Sequence, residues 1–133
     1  MNPKRIQRRR TKGWRMPPGV IYVGRPTKWG NPIRITKEPG RYTPMFRVHG
    51  SPLDHHGGPA YCDLGAARHY AAWYFECDLL NGRYTDYPTV DEIRAKLAGR
   101  DLACWCPPRR IHRSGNLGPI NCHADVLLEV ANS

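Results

Sequence analysis

The chain has 133 residues, the length of one domain built on a single core, and that length folds without disulfide staples. Hydrophobic residues make up 40% and charged residues 24%, ordinary globular values, and no run approaches the roughly 18–20 apolar residues of a membrane span. The outlier is charge: 21 Lys+Arg against 11 Asp+Glu give +10, which argues for polyanionic partners such as nucleic acid, nucleotides or anionic lipid.

Most of that excess lies at the start. Lys4, Arg5, Arg8, Arg9, Arg10, Lys12 and Arg15 place seven basic and no acidic residues in the first 15, leaving 14 basic and 11 acidic residues, a net of +3, for the rest. Residues 1–17 read as a basic arm closed by the turn signal Met16-Pro17-Pro18-Gly19. Arg8, Arg9, Arg10, Lys12, Trp14 and Arg15 are its nucleic-acid candidates, since guanidinium planes and an aromatic face suit phosphate tracking and base stacking. A solvated, solubilising tail is the alternative. No apolar stretch follows the charges, so the segment does not read as a secretory signal.

Val20-Ile21-Tyr22-Val23, bounded by glycines, reads as a buried first strand. Gly24-Arg25-Pro26-Thr27-Lys28-Trp29-Gly30-Asn31-Pro32 is a turn-rich loop, and Ile33–Thr36 alternates like a short strand. Residues 37–62 resist a regular reading, with Met45–His49 as a strand candidate; a segment this long is commonly functional or mobile. Asp63 caps a helix running to about Leu80, stopped by Asn81-Gly82, with Ala66, Tyr70, Trp73, Cys77 and Leu80 as its apolar stripe. Thr89 and Glu92 form a capping box for a helix whose stripe is Val90, Ile93 and Leu97, ending at Gly99. Asp101–Trp105 is a second strand, and a last helix spans about His123–Ala131. Strands that each lead through a loop towards a helix imply an α/β fold. The expected architecture is one domain over 1–133 with a small, mostly parallel sheet and flanking helices, a Rossmann-like three-layer arrangement.

Five cysteines, Cys62, Cys77, Cys104, Cys106 and Cys122, are an odd number. Without a signal peptide this suggests a reducing, cytoplasmic setting, where clustered thiols more often bind metal or do chemistry than form bridges. Cys104 ends a strand and Cys106 opens a Pro-, Arg- and Gly-rich loop, while Cys122 and His123 open a helix, where free amides and the helix dipole stabilise a thiolate. The four side chains form a Cys3His set that suits zinc, although the C-x-C and C-H spacings are unlike the usual C-x2-4-C. A reactive-thiol or anion site and plain packing cysteines are the other two readings. If the site is catalytic, Cys122 is the expected nucleophile, with His123 or His112 as base. In the other loop Arg25, Lys28, Trp29 and Asn31 are the ligand-binding candidates: charge, a stacking ring and glycine-allowed backbone approach to phosphate. In a parallel sheet both loops leave the carboxyl edge, where ligands bind. His55-His56 beside Asp54 form a weaker metal candidate.

The run Arg8–Pro17, the run Val23–Pro32, Asp101–Cys106 and Cys122–Leu128 together resemble an uncharacterised family, domain of unknown function 4326, common in actinobacteria and their phages. The resemblance spans nearly the whole chain and makes the basic stretch part of the domain. Relative to that family, the loop between Cys106 and Cys122 is longer here. The closing strand–Cys–loop–Cys-His–helix unit is also similar to domain of unknown function 488, an α/β family. Neither implies an activity. The function expected from the residues is nucleotide or nucleic-acid phosphate binding at the two loops, with thiol chemistry. The alternative is a non-catalytic, nucleic-acid-binding or host-modulating module built on structural zinc.

Overall fold

A computed structural model describes residues 3–52, 58–109, 113–115 and 118–133. Among these the elements are β1 (Arg5–Gln7), β2 (Ile21–Tyr22), β3 (Arg34–Glu38), β4 (Met45–His49), β5 (Ala60–Tyr61), α1 (Leu64–Leu80), α2 (Val90–Leu97), β6 (Leu102–Cys104) and α3 (His123–Asn132). The content is mixed α/β, with two three-stranded sheets in place of the single expected one. The first is wholly parallel, in the order β1-β6-β2. The second, β3-β4-β5, is antiparallel and occupies the stretch that resisted sequence reading.

β6 sits centrally because Leu102, Ala103 and Cys104 are apolar on both faces, and all three are buried. Its edge recruits β1, with Arg5, Ile6 and Gln7 opposite Leu102, Ala103 and Cys104. This corrects the arm: residues 5–7 are part of the sheet. Their sequence, one isoleucine between polar neighbours, hides the strand. What builds it is the demand of the β6 backbone for partners.

α1 starts as expected, with the Asp63 carboxylate accepting from the Gly65 and Ala66 amides. Its buried face is not. Ala67, Ala71, Ala72, Phe75, Asp78 and Leu79 face inward, while Trp73 and Leu80 are 45% and 58% exposed and Tyr70 stacks on Tyr61. Cys77 is half-buried. The helix is apolar around most of its circumference, so two stripes competed. The alanine side lets α1 lie close against α3 and the antiparallel sheet. Asp78 is tolerated inside because the Arg83 guanidinium and the Tyr84 hydroxyl, at 3.0 and 3.2 Å, donate to its two oxygens. Gly82 closes the helix at φ +66°, a conformation that favours glycine.

α2 is half of the expected capping box. Thr89 accepts from the Glu92 amide, but the Glu92 carboxylate turns to Lys28. α3 packs on α1, α2 and the parallel sheet, burying Val126, Leu127, Val130 and Ala131 as anticipated. No helix among the described residues is long and apolar enough to cross a membrane.

Candidate functional site

All three parallel strands end at one edge, and the two loops singled out above meet there. They enclose a cavity of about 390 Å³. Tyr22, Gly24, Arg25 and Asn31 line one side; Cys104, Trp105, Cys106, Asn121, Cys122 and His123 line the other; Arg68 and Ala71 of α1 complete the wall.

The loop after β2 is held largely by itself. The Thr27 and Gly30 amides donate to Gly24 and Thr27 carbonyls, and the Ile33 amide donates to Asn31 Oδ1. The Tyr22 ring folds over Gly24, where a Cβ would collide with it. These amides are therefore spent inside the loop and do not cradle phosphate. Arg25 braces the same turn, Nε and Nη2 donating to the Asn31 carbonyl and Nη2 also to that of Ile33; Nη1 has no acceptor among the described residues. Arg25 and Asn31 do line the cavity. Lys28 and Trp29 do not. Trp29 is 6% exposed in the hydrophobic core, and its carbonyl accepts from the Tyr87 hydroxyl. Lys28 lies over the Trp29 ring and pairs with Glu92 at 2.8 Å. The expected stacking ring is a core residue, because its indole is the largest apolar surface in a loop that must seal the end of the core.

The thiol cluster forms as anticipated, from β6, the segment after it and the N-cap of α3. The sulfurs of Cys104, Cys106 and Cys122 lie within 4.8 Å of one another. Cys122 Sγ donates to Cys104 Sγ at 3.4 Å and accepts from the Ala124 amide. Residues distant in sequence are drawn together because the long loop is tied at its base: Asn121 Nδ2 donates to the Pro107 and Pro108 carbonyls, and Arg109 clasps the Gly118 carbonyl.

Arg5 secures the cluster from behind. Nε pairs with Asp125 at 2.9 Å; Nη1 donates to Cys104 Sγ and the Cys106 carbonyl; Nη2 donates to the Pro107 carbonyl and Asn121 Oδ1. All five N–H donors of the guanidinium are thereby used. Sequence reasoning grouped Arg5 with the basic arm and missed this; Asp125, the third residue of α3, was the available signal.

These contacts decide which sulfur carries charge. The thiols of Cys106 and Cys122, then Arg5, hold Cys104 far below the ordinary thiol range against the opposing effect of burial. Hydrogen bonding to Cys104 pushes Cys106 and Cys122 up. Negative charge in the cluster is favoured at Cys104, the sulfur to which the Arg5 guanidinium donates. Burial lowers the His123 pKa below its ordinary value. Its Nε2 lies 2.8 Å from the Val23 carbonyl, so Nε2 carries the proton, and Nδ1 is left as an acceptor 3.6 Å from Cys122 Sγ. His123 does not join the three sulfurs as a metal-binding group. His55, His56 and His112 lie outside the described residues.

The basic segment borders the same site. The Arg8 guanidinium lies 4.4 Å from the Tyr22 ring centroid and 4.7 Å from that of Trp105, and Arg10 lies 5.0 Å from Trp105. Arg9, Lys12 and Arg15 are exposed, and Trp14 is half-buried.

No curated protein and no solved structure matches this chain. A family model does, over residues 6–133, a span that includes the basic segment from Ile6 on, both loops and all three clustered cysteines. By that match the chain belongs to the family described as Domain of unknown function (DUF4326).

Proposed function

We propose that the cleft binds the phosphate of a nucleotide, free or at the end of a nucleic-acid strand. The observation that carries this is the meeting of the two loops, with Arg25 and Arg68 on the walls of one cavity. Arg68 has no acceptor among the described residues, so its charge is available to an anion. Asn31 and Asn121 add amide groups of the kind that read base edges or sugar hydroxyls. The exposed side of Trp105 offers the stacking face that Trp29 does not. Arg8 and Arg10, packed on Trp105, join the cleft to the basic segment, so a strand leaving the cleft meets positive charge. The two loops leave the carboxyl edge of a parallel sheet, the edge at which such sheets generally bind ligands.

The test is calorimetric titration of the full chain with mononucleotides, a short single-stranded oligonucleotide and inorganic phosphate, at two salt concentrations. Binding is expected to weaken with salt. It should fall roughly tenfold or more in Arg68→Ala, because a hydrogen bond to a charged group is worth about 1.5–3 kcal/mol. Absence of binding to every probe, or an affinity indifferent to both salt and Arg68, overturns the proposal.

A further inference from the structure

We infer that Cys104, Cys106 and Cys122 together bind one zinc ion as a three-thiolate centre whose fourth position opens into the cleft. The inference stands apart from the nucleotide reading, since it concerns the protein's own ligands.

Three sulfurs from two separate segments of the chain, Cys104–Cys106 and Cys122, converge within 4.8 Å. The Cys104–Cys122 separation of 3.4 Å is far beyond the roughly 2.05 Å of a disulfide. Tetrahedral zinc with Zn–S bonds of about 2.3 Å spaces its sulfurs about 3.8 Å apart, within the spread found here. Small adjustments of side chains already in place would close the set.

The surroundings fit bound thiolates better than packing cysteines. Cys104 and Cys122 are only 2% and 3% exposed, yet a guanidinium donor points at the first and a helix amide at the second. A buried donor aimed at sulfur contributes most when that sulfur is charged. Three thiolates on a divalent ion carry one net negative charge, towards which Arg5 Nη1 donates a hydrogen bond at Cys104. Such N–H donors to ligand atoms are the usual outer support of a metal centre.

The fourth position distinguishes this centre from the expected Cys3His knuckle. His123 Nε2 is committed to the Val23 carbonyl, and although Nδ1 lies 3.6 Å from Cys122 Sγ, the ring is not within reach of all three sulfurs at once. All three cysteines line the cavity, so the vacant side of the triad faces the cleft. Three protein ligands with one open position is the arrangement of catalytic zinc, whereas structural zinc is closed by four. An oxygen of water or of an anionic ligand would complete it.

The test uses the wild-type chain, so no variant has to fold. Reduced, metal-free protein is titrated with zinc under native conditions, and metal content and accessible thiols are counted. One zinc per chain is expected, with zinc protecting Cys106, the least buried of the three, from a thiol reagent while the exposed Cys62 stays reactive. Cobalt in place of zinc should show thiolate-to-metal charge transfer, which a Cys77→Ser control retains and Cys106→Ser diminishes. No bound metal, a Cys106 reactivity unchanged by zinc or a cobalt spectrum without sulfur character overturns the inference. Nucleotide titration of metal-free and zinc-loaded protein separates the two readings: zinc binding without nucleotide binding refutes only the nucleotide proposal, and the reverse refutes only this one.

Discussion

Replacing Arg5 by methionine tests whether the basic segment is structural. The side chains of Arg5 and Asp125 are 7% and 6% exposed, and their charged atoms lie 2.9 Å apart. Removing one partner of such a pair typically costs about 3–5 kcal/mol, mostly from the charge left behind. Asp125 keeps one bond, from the Asn121 amide. A second cavity beside Arg5 and Asp125 gives water a route to the carboxylate, so the lower end applies. Against that, the Cys106 and Pro107 carbonyls and Asn121 Oδ1 lose donors. The expected loss is about 3 kcal/mol, a large share of the roughly 5–15 kcal/mol that holds a domain together. For a chain of this length that lowers Tm by roughly 10 °C. Urea unfolding followed by far-ultraviolet circular dichroism measures it, with exposed Arg9→Met as the control expected to stay within about 0.5 kcal/mol of wild type. Arg5→Lys should be intermediate, keeping the charge but losing the fork. If Arg5→Met matches the Arg9 control, residues 5–7 behave as a solvated arm and the reasoning fails.

Lys28→Ala should change nucleotide affinity less than twofold and stability by less than about 1 kcal/mol, because its ion pair with Glu92 is exposed and faces away from the cleft; a large binding loss in the same calorimetric titration would restore Lys28 to the site. Burial raises the Tyr61 pKa to about 12 and those of Tyr84 and Tyr87 still further. Unfolded tyrosine ionises near 10, so between about pH 10 and 12 the folded state holds protons that the unfolded state has released. Stability should therefore fall as pH rises through that window. Absorbance titration should show these three of the seven tyrosines ionising late and only with unfolding; seven early, independent titrations would contradict their burial.

The sequence was legible wherever the signal was local. Asp63, Thr89 and Asn81-Gly82 act on neighbours within one helical turn, and they marked the ends of α1 and α2 correctly. Asp101–Trp105 announced a strand, and the structure has one at Leu102–Cys104, buried throughout. The site was legible in outline, since the two loops follow strands of one parallel sheet and had to share an edge. It failed in detail where one residue had two uses. Trp29 could stack or seal the core, and Arg5 could track phosphate or pair with Asp125. The second use in each case depends on a partner that no local pattern names, Tyr87 for Trp29 and Asp125 for Arg5.

The +10 charge shows the same division. Composition and spacing determined that a basic N-terminal stretch, a glycine-bounded loop and a cysteine cluster exist, and that helices and short strands separate them. Only the tertiary structure decided that Arg5 leaves the surface to serve the thiols, that Arg8 and Arg10 edge the cleft, and that Arg68 faces into it. The physical reason is range. Capping and hydrophobic periodicity are settled within a few residues, whereas burying a charge needs a counter-charge and hydrogen-bond acceptors that here lie about a hundred residues away.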